Sequence, residues 1–171
     1  MSKSPDWNRT FAPAYTPKEM IELGVFEGTY VRAIGNLPKS WTKSKKVLAH
    51  GEDGDVSLNK FGVGSRLPLR TWKEKGWIRT DAGGWFEWYC NYYRGRRLGE
   101  EDEWQIKRWR SFVARHQGQV TKAGKLKDES TRRKQRQGLL QWAWDSKFAF
   151  TTRTLNRNLK ALSTRRGINI R

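Results

Sequence analysis

A mainly α-helical fold, compact and with an aromatic core, follows from three features of the chain. Apolar residues in its second half recur at three- and four-residue spacing, as on the buried face of a helix. Thr, Pro, Glu and Gly stand where helices start and stop. The apolar fraction is only 36%, yet 13% of all residues are aromatic and ten are tryptophan, so rings must supply the burial that aliphatic side chains would otherwise give. A length of 171 residues suits a single domain. The organisation expected is an N-terminal arm over 1–15, one mostly helical domain over 16–150, and a basic C-terminal helix and tail over 151–171.

The elements follow in order. Trp7, Phe11 and Tyr15 give the arm three rings that can clip it to the body. Thr16-Pro17-Lys18-Glu19 is a helix start, with Thr16 as cap, Pro17 at the first helical position and Glu19 three residues past the cap. Met20, Ile21 and Leu23 make that helix apolar, and Gly24 stops it. Thr29–Ile34 reads as a strand, ended by Gly35-Asn36 and Pro38, and the lysine-rich stretch around Trp41 as a loop. Residues 50–57 are acidic and glycine-rich, hence a loop. Short helices are expected over 57–61 and, opened by Pro68, over 69–75.

Trp85 to Tyr93 is the densest aromatic segment. Trp85, Trp88, Tyr89 and Tyr92 share helical spacing, as do Phe86, Cys90 and Tyr93. A helix apolar most of the way round belongs at the centre of a core. Glu100 to Glu103 open a helix of about four turns by placing acids at its positive end. Ile106, Trp109, Phe112 and Val113 fall on one side of it, and Lys107, Arg108, Arg110 and Arg115 on the other. Residues 117–128 read as a Gly/Lys loop. Helices over 130–144 and 152–163 follow, the last with Leu155, Leu159 and Leu162 opposite Arg153, Arg157 and Lys160.

Charge points to the partner. The chain carries 35 Lys and Arg against 17 Asp and Glu, a net +18. The excess grows along the chain and reaches +10 in residues 132–171. Such a charge opposes compaction unless a polyanion neutralises it, and an ordinary soluble surface mixes its signs. Three successive helices each pair an apolar stripe with a basic one. The reading is a nucleic-acid-binding protein, with DNA favoured over RNA, that holds the phosphate backbone with little direct sequence readout. The contacts expected are Arg94, Arg96, Arg97, Arg108, Arg110, Arg132, Arg133, Lys134, Arg136, Arg153, Arg157, Lys160, Arg165 and Arg166. Trp104, near Arg108 and Arg115 by helical angle, is the candidate for stacking on bases. Three alternatives stay open: an RNA-binding subunit of a larger ribonucleoprotein, a nucleic-acid-processing enzyme, and a protein-interaction module that uses the basic face on an acidic partner.

Two stretches resemble known families. Val56 to Ile78, with Gly62-Val63 and then Leu69-Arg70-Thr71-Trp72-Lys73-Glu74-Lys75-Gly76-Trp77-Ile78, resembles the helix-turn-helix opening of MerR-type regulators. The turn is one residue longer than in that pattern, and Pro68 falls inside the matching recognition helix. The resemblance implies that Arg66 and Arg70 face a DNA groove. More broadly, TPKEMIELGVFEGTY, LNKFGV, PLRTWKEKGWI, GWFEWYCNYYRGRR, EDEWQIKRW and RQGLLQWAWD resemble, in the same order, a family of hypothetical proteins of phages, bacteria and plants. That resemblance implies a common domain over 16 to about 144 and no particular activity.

No catalytic motif stands out. His50 and His116 lie far apart, no His/Cys set has metal-ligand spacing, and no Walker loop, GxSxG or HExxH occurs. No metal and no cofactor are expected. A Mg²⁺-dependent nuclease would draw on Glu52, Asp53 and Asp55 or on Glu100–Glu103. A base-flipping enzyme would draw on Asp81, Glu87 and Asp145, which lie among aromatics. The single cysteine, Cys90, fits a reducing, cytoplasmic setting. The N-terminus has no signal-like apolar run, and no stretch approaches a membrane span.

Overall fold

The computed structural model describes residues 8–29, 31–48, 53–65, 74–76, 81 and 83–166, with only the backbone described at Ala33, Arg165 and Arg166. Its described regular structure is five α-helices and four short 3₁₀ turns: α1 (Pro17–Leu23), α2 (Gly84–Tyr93), α3 (Glu100–Lys122), α4 (Arg133–Leu140) and α5 (Thr152–Arg166). Among the described residues there is no strand, only an isolated bridge between Asn8 and Phe11. The fold is mainly α, as the spacing predicts. None of the described helices is long and apolar enough to cross a membrane.

α1 starts where its cap residues say it should. The Thr16 hydroxyl accepts from the Glu19 amide at 3.2 Å, and the Glu19 carboxylate accepts from the Thr16 amide at 3.0 Å, a reciprocal capping box. Gly24 ends it at φ 106°, and a Cβ there would lie 2.1 Å from the Leu58 carbonyl oxygen. Only glycine fits that combination of left-handed backbone and close approach.

The core is built around Phe11. Its ring lies 5.1–6.3 Å from the rings of Trp85, Trp88, Tyr89, Tyr92 and Trp109, four of the five contacts edge-on. The segment read as an arm therefore supplies the centre of the hydrophobic core. It is tied in by polar bonds as well: the Tyr89 hydroxyl donates to the Tyr15 carbonyl at 2.6 Å, Asn158 to Ala12 at 2.9 Å, and the Ala14 amide to Ala143 at 2.7 Å. α2 is buried on most sides, as its all-round apolar sequence requires. The Trp88 indole donates to Asp102 at 2.8 Å, and the other Asp102 oxygen accepts from the Leu98 amide at 2.7 Å. Asp102 is thus a buried clamp between α2 and the start of α3. α5 contributes Leu155, Leu159 and Leu162 to the same core.

Several elements differ from expectation. Among the described residues of 29–34 there is no strand; Val31–Ala33 is a 3₁₀ turn, and another covers Val56–Leu58 in place of a helix over 57–61. The helix expected over 69–75 lies outside the described residues except for its end. α3 runs 23 residues, well beyond the four turns expected, and continues through residues read as a loop. The cause is tertiary: Gln117 is fully buried, donating to the Ser146 carbonyl at 3.1 Å and accepting from the Trp144 indole at 3.1 Å, and Val120 is buried beside it. α4 is shorter than expected. Arg132, before it, is left-handed at φ 50°, and the chain turns after Leu140 through Ala143 at φ 59°.

Candidate functional site

Two buried glutamines one turn apart on α4 and its C-terminal cap build the frame of the site. Gln137 accepts from the Phe61 amide and donates to the Gly24 carbonyl and to Gln141, each at 3.1 Å. Gln141 accepts from the Phe26 amide and donates to the Ser65 carbonyl, also at 3.1 Å. Together they fix two loops against α4. They hold Phe26, Glu27 and Gly28 in three consecutive left-handed conformations, at φ 54°, 58° and 77°. Asn59 assists by accepting from the Glu27 amide at 2.8 Å. Left-handed Phe and Glu are costly by about 1–3 kcal/mol each. The turn sets the Phe26 ring 5.1 Å from Phe86.

Between these loops, α2, α3 and α4 lies a cavity of about 560 Å³. One face of α3 forms its long wall, with Trp104, Arg108, Phe112, Arg115 and His116 at helical spacing. Phe26, Trp85 and Phe86 form a buried floor, and Trp142 closes the side toward α4. The rings are ordered into a stair. Successive centroids run Tyr89 to Trp85 at 5.1 Å, Trp85 to Trp142 at 4.9 Å, Trp142 to Phe112 at 4.8 Å and Phe112 to His116 at 4.3 Å, with interplanar angles of 18–39°. The stair climbs from buried Tyr89 to half-exposed His116. Arg108 sits with its guanidinium 4.6 Å from the Trp104 ring centre and 5.5 Å from that of Trp142. Lys107 and Arg115 are exposed at the mouth. No carboxylate is among the described lining residues. Burial first, and the Arg115 charge second, push the His116 pKa below its usual 6.5, so this imidazole is neutral at pH 7. The Trp85 indole N–H is buried with no acceptor among the described residues.

Apart from Arg108 on the cavity wall, the described cations read from the sequence fall into three groups. Arg136 is fully buried and binds the carbonyls of Lys125, Leu126, Thr131 and Ser146, so it cannot contact phosphate; that expectation is corrected. A second group sits nearer the surface but is anchored to the protein itself. Arg96 pairs with buried Asp81 through its two terminal guanidinium nitrogens, and Arg97 lies 3.7 Å from the Tyr92 ring centre while donating to the Tyr92 carbonyl. Arg94 donates to the Asn36 carbonyl, Arg110 to those of Arg9 and Thr10, and Arg133 to that of Phe61. Arg157 stacks 3.7 Å from the Phe148 ring centre, opposite Lys127 at 3.7 Å. The third group is exposed: Arg132, Lys134, Arg153 and Lys160 have no ion pair among the described residues. Arg66 and Arg70, with the rest of 66–73 and with 77–78 of the helix-turn-helix-like stretch, lie outside the described residues, as do the Arg165 and Arg166 side chains.

The structure brings Trp104 and Arg108 together as helical angle predicts. The sequence reading missed Lys107 and Arg115 as site residues and assigned Phe112 to the core side of α3. The i, i+4, i+8 run of Trp104, Arg108 and Phe112 was the signal available.

Of the carboxylates named for catalysis, Asp81, Glu87, Asp145 and Asp55 have structural partners. Asp81 holds Arg96 and Asn91, Glu87 accepts from the Gly83 amide at 2.8 Å, and Asp145 accepts from the Lys147 amide at 3.0 Å. Asp55 caps the Val56–Leu58 turn, and Glu52 lies outside the described residues. Among the described residues no three His, Cys, Asp or Glu side chains converge on a metal-sized site. No protein-family model, curated protein or solved structure matches the chain.

Proposed function

We propose that the protein binds nucleic acid through its phosphate backbone, DNA before RNA, with little reading of base edges in a groove. The observation that carries this reading is the charge: a net +18, with exposed Arg132, Lys134, Arg153 and Lys160 lacking any ion pair among the described residues. The cations anchored to carbonyls and rings add to the field, since a neutral acceptor leaves their charge in place. Positive side chains that meet phosphates set the register of the nucleic acid on the protein, and here Arg132 at the start of α4, Lys134 on α4, and Arg153 and Lys160 on α5 are presented from a packed core. A buried, unpaired Cys90 fits a reducing compartment such as the cytoplasm.

The test is fluorescence anisotropy with labelled DNA and RNA across a salt series. Charge reversal at Lys134, Arg153 and Lys160 should weaken binding on every sequence alike and flatten the salt dependence, because the slope counts neutralised phosphates. A loss confined to one sequence, or no binding at low salt, would overturn the reading.

A further inference from the structure

We propose that the 560 Å³ cavity receives a single unpaired nucleobase together with its own phosphate. This rests on the nucleic-acid reading and extends it from backbone to base.

Three features of the cavity select that occupant. Its size falls within the range of about 300–1,000 Å³ typical of small-ligand pockets. Its walls are aromatic: Trp104, Phe112, His116 and Trp142 are all half-exposed where they line it, and because Phe112 and Trp142 are each stacked between two rings, a planar group continues the stair at its last ring, His116. Its mouth is positive, with Lys107, Arg108 and Arg115 and no carboxylate among the described lining residues. Apolar rings alone would accept any hydrophobe. Rings rimmed by cations accept a flat aromatic group that carries a negative charge, and a nucleotide is that chemistry.

The polar groups at hand predict how selective the site is. Gln141 is already bonded to Phe26, Gln137 and Ser65, and the Ser65 hydroxyl donates to the Lys134 carbonyl at 2.7 Å. That leaves the Ser111 hydroxyl and the His116 ring nitrogens on the α3 wall and the Trp85 indole N–H in the floor, which have no hydrogen-bond partner among the described residues, to meet a base edge. These groups lie on separate walls and form no donor and acceptor set matched to one base edge, so binding is by stacking and tolerates any base. A base in a duplex is stacked and paired and cannot enter without leaving the helix. The site therefore favours single strands, free ends and mismatches over intact duplex.

The decisive comparison is between a twelve-residue thymidine strand and a strand of the same length with abasic linkers throughout. Both carry the same phosphates, and only one has bases. The whole protein should bind the thymidine strand about tenfold or more tighter, the lower part of the range for base–aromatic stacking. Ser111→Phe, at an exposed position on the cavity wall, should erase that excess while leaving the abasic strand and the circular dichroism spectrum unchanged. Trp104→Ala is a second variant with the same expected outcome, should Ser111→Phe fail to fold. Adenosine monophosphate at millimolar concentration should compete for the thymidine excess, which separates a site for a free nucleotide unit from one that needs a longer strand. Equal binding of the two strands, or an excess that survives both variants, would overturn the proposal and leave the backbone reading standing. No binding of either strand at low salt would remove both.

Discussion

Arg136 looks like a phosphate contact in the sequence and is a structural clamp in the fold, and replacing it by glutamine separates the two. Its guanidinium donates to the carbonyls of Thr131 at 2.7 Å, Lys125 at 2.9 Å, Leu126 at 3.0 Å and Ser146 at 3.3 Å, and to the hydroxyls of Ser146 and Thr131. All of these acceptors are neutral. Burial lowers the Arg136 pKa, and the nearby charges of Glu129, Asp128 and Asp145 oppose that shift. A hydrogen bond to a charged group contributes about 1.5–3 kcal/mol, but six bonds from one side chain are not additive. Removing this donor leaves buried neutral acceptors unsatisfied at about 1–3 kcal/mol each, while the Ser146 carbonyl keeps Gln117 and the Lys125 carbonyl keeps the Asp128 amide, so the loss is about 3–5 kcal/mol in all, near the upper end for a single substitution. For a chain of this size each kcal/mol lowers the melting temperature by about 2–4 °C, so Arg136→Gln should melt about 6–20 °C lower. Arg132→Gln, exposed and four residues earlier, should melt within about 2 °C of the parent. It should instead flatten the salt dependence of DNA binding if Arg132 meets phosphate. Thermal unfolding by circular dichroism and anisotropy in a salt series provide the two readouts. An Arg136→Gln protein with unchanged stability and a flattened salt slope would refute the assignment.

Three further perturbations probe other parts of the account. Trp88→Ala should cost about 3–5 kcal/mol through the lost ring, and Trp88→Phe about 1–3 kcal/mol through the bond to Asp102; equal stability of Trp88→Phe and parent in urea would contradict the role of that bond. Gly24→Ala should destabilise by more than about 2 kcal/mol, since it adds left-handed strain to a Cβ placed 2.1 Å from a carbonyl oxygen; a neutral change in chemical denaturation would be inconsistent with the turn described. The His116 pKa lies below 6.5 in the folded state, so on acidification the unfolded chain takes its proton first, and stability falls as pH drops through 6.5 until the folded imidazole also titrates. An NMR titration should place its midpoint below 6.5 and move it upward, still short of 6.5, in Arg115→Gln, because burial is the larger cause and remains.

How much was legible follows from where the information lies. The helical class, the α1 cap and the buried aromatic α2 are local: Thr16 and Glu19 bond to each other within one turn, with Pro17 at the first helical position, and Trp85 to Tyr93 carry their own periodicity. The length of α3 was not legible, because Gln117 looks like a loop residue until Trp144 and Ser146 are folded against it. Arg136 likewise carries no local mark of burial, since its acceptors come from the loop over 125–131 and from Ser146. The cavity was the least legible part. Phe26, Trp85, Trp104 and Trp142 come from four distant segments, and only the α3 wall announces itself by spacing. The charge, by contrast, could be counted directly.

The most direct test of the central claim is the salt dependence of binding to a labelled DNA oligonucleotide, measured by anisotropy beside an acidic polypeptide of equal charge. A steep loss of affinity with salt, and tighter binding of DNA than of the polypeptide at every salt concentration, is the result predicted. Equal affinity for the two polyanions, or no binding of DNA at low salt, would contradict it.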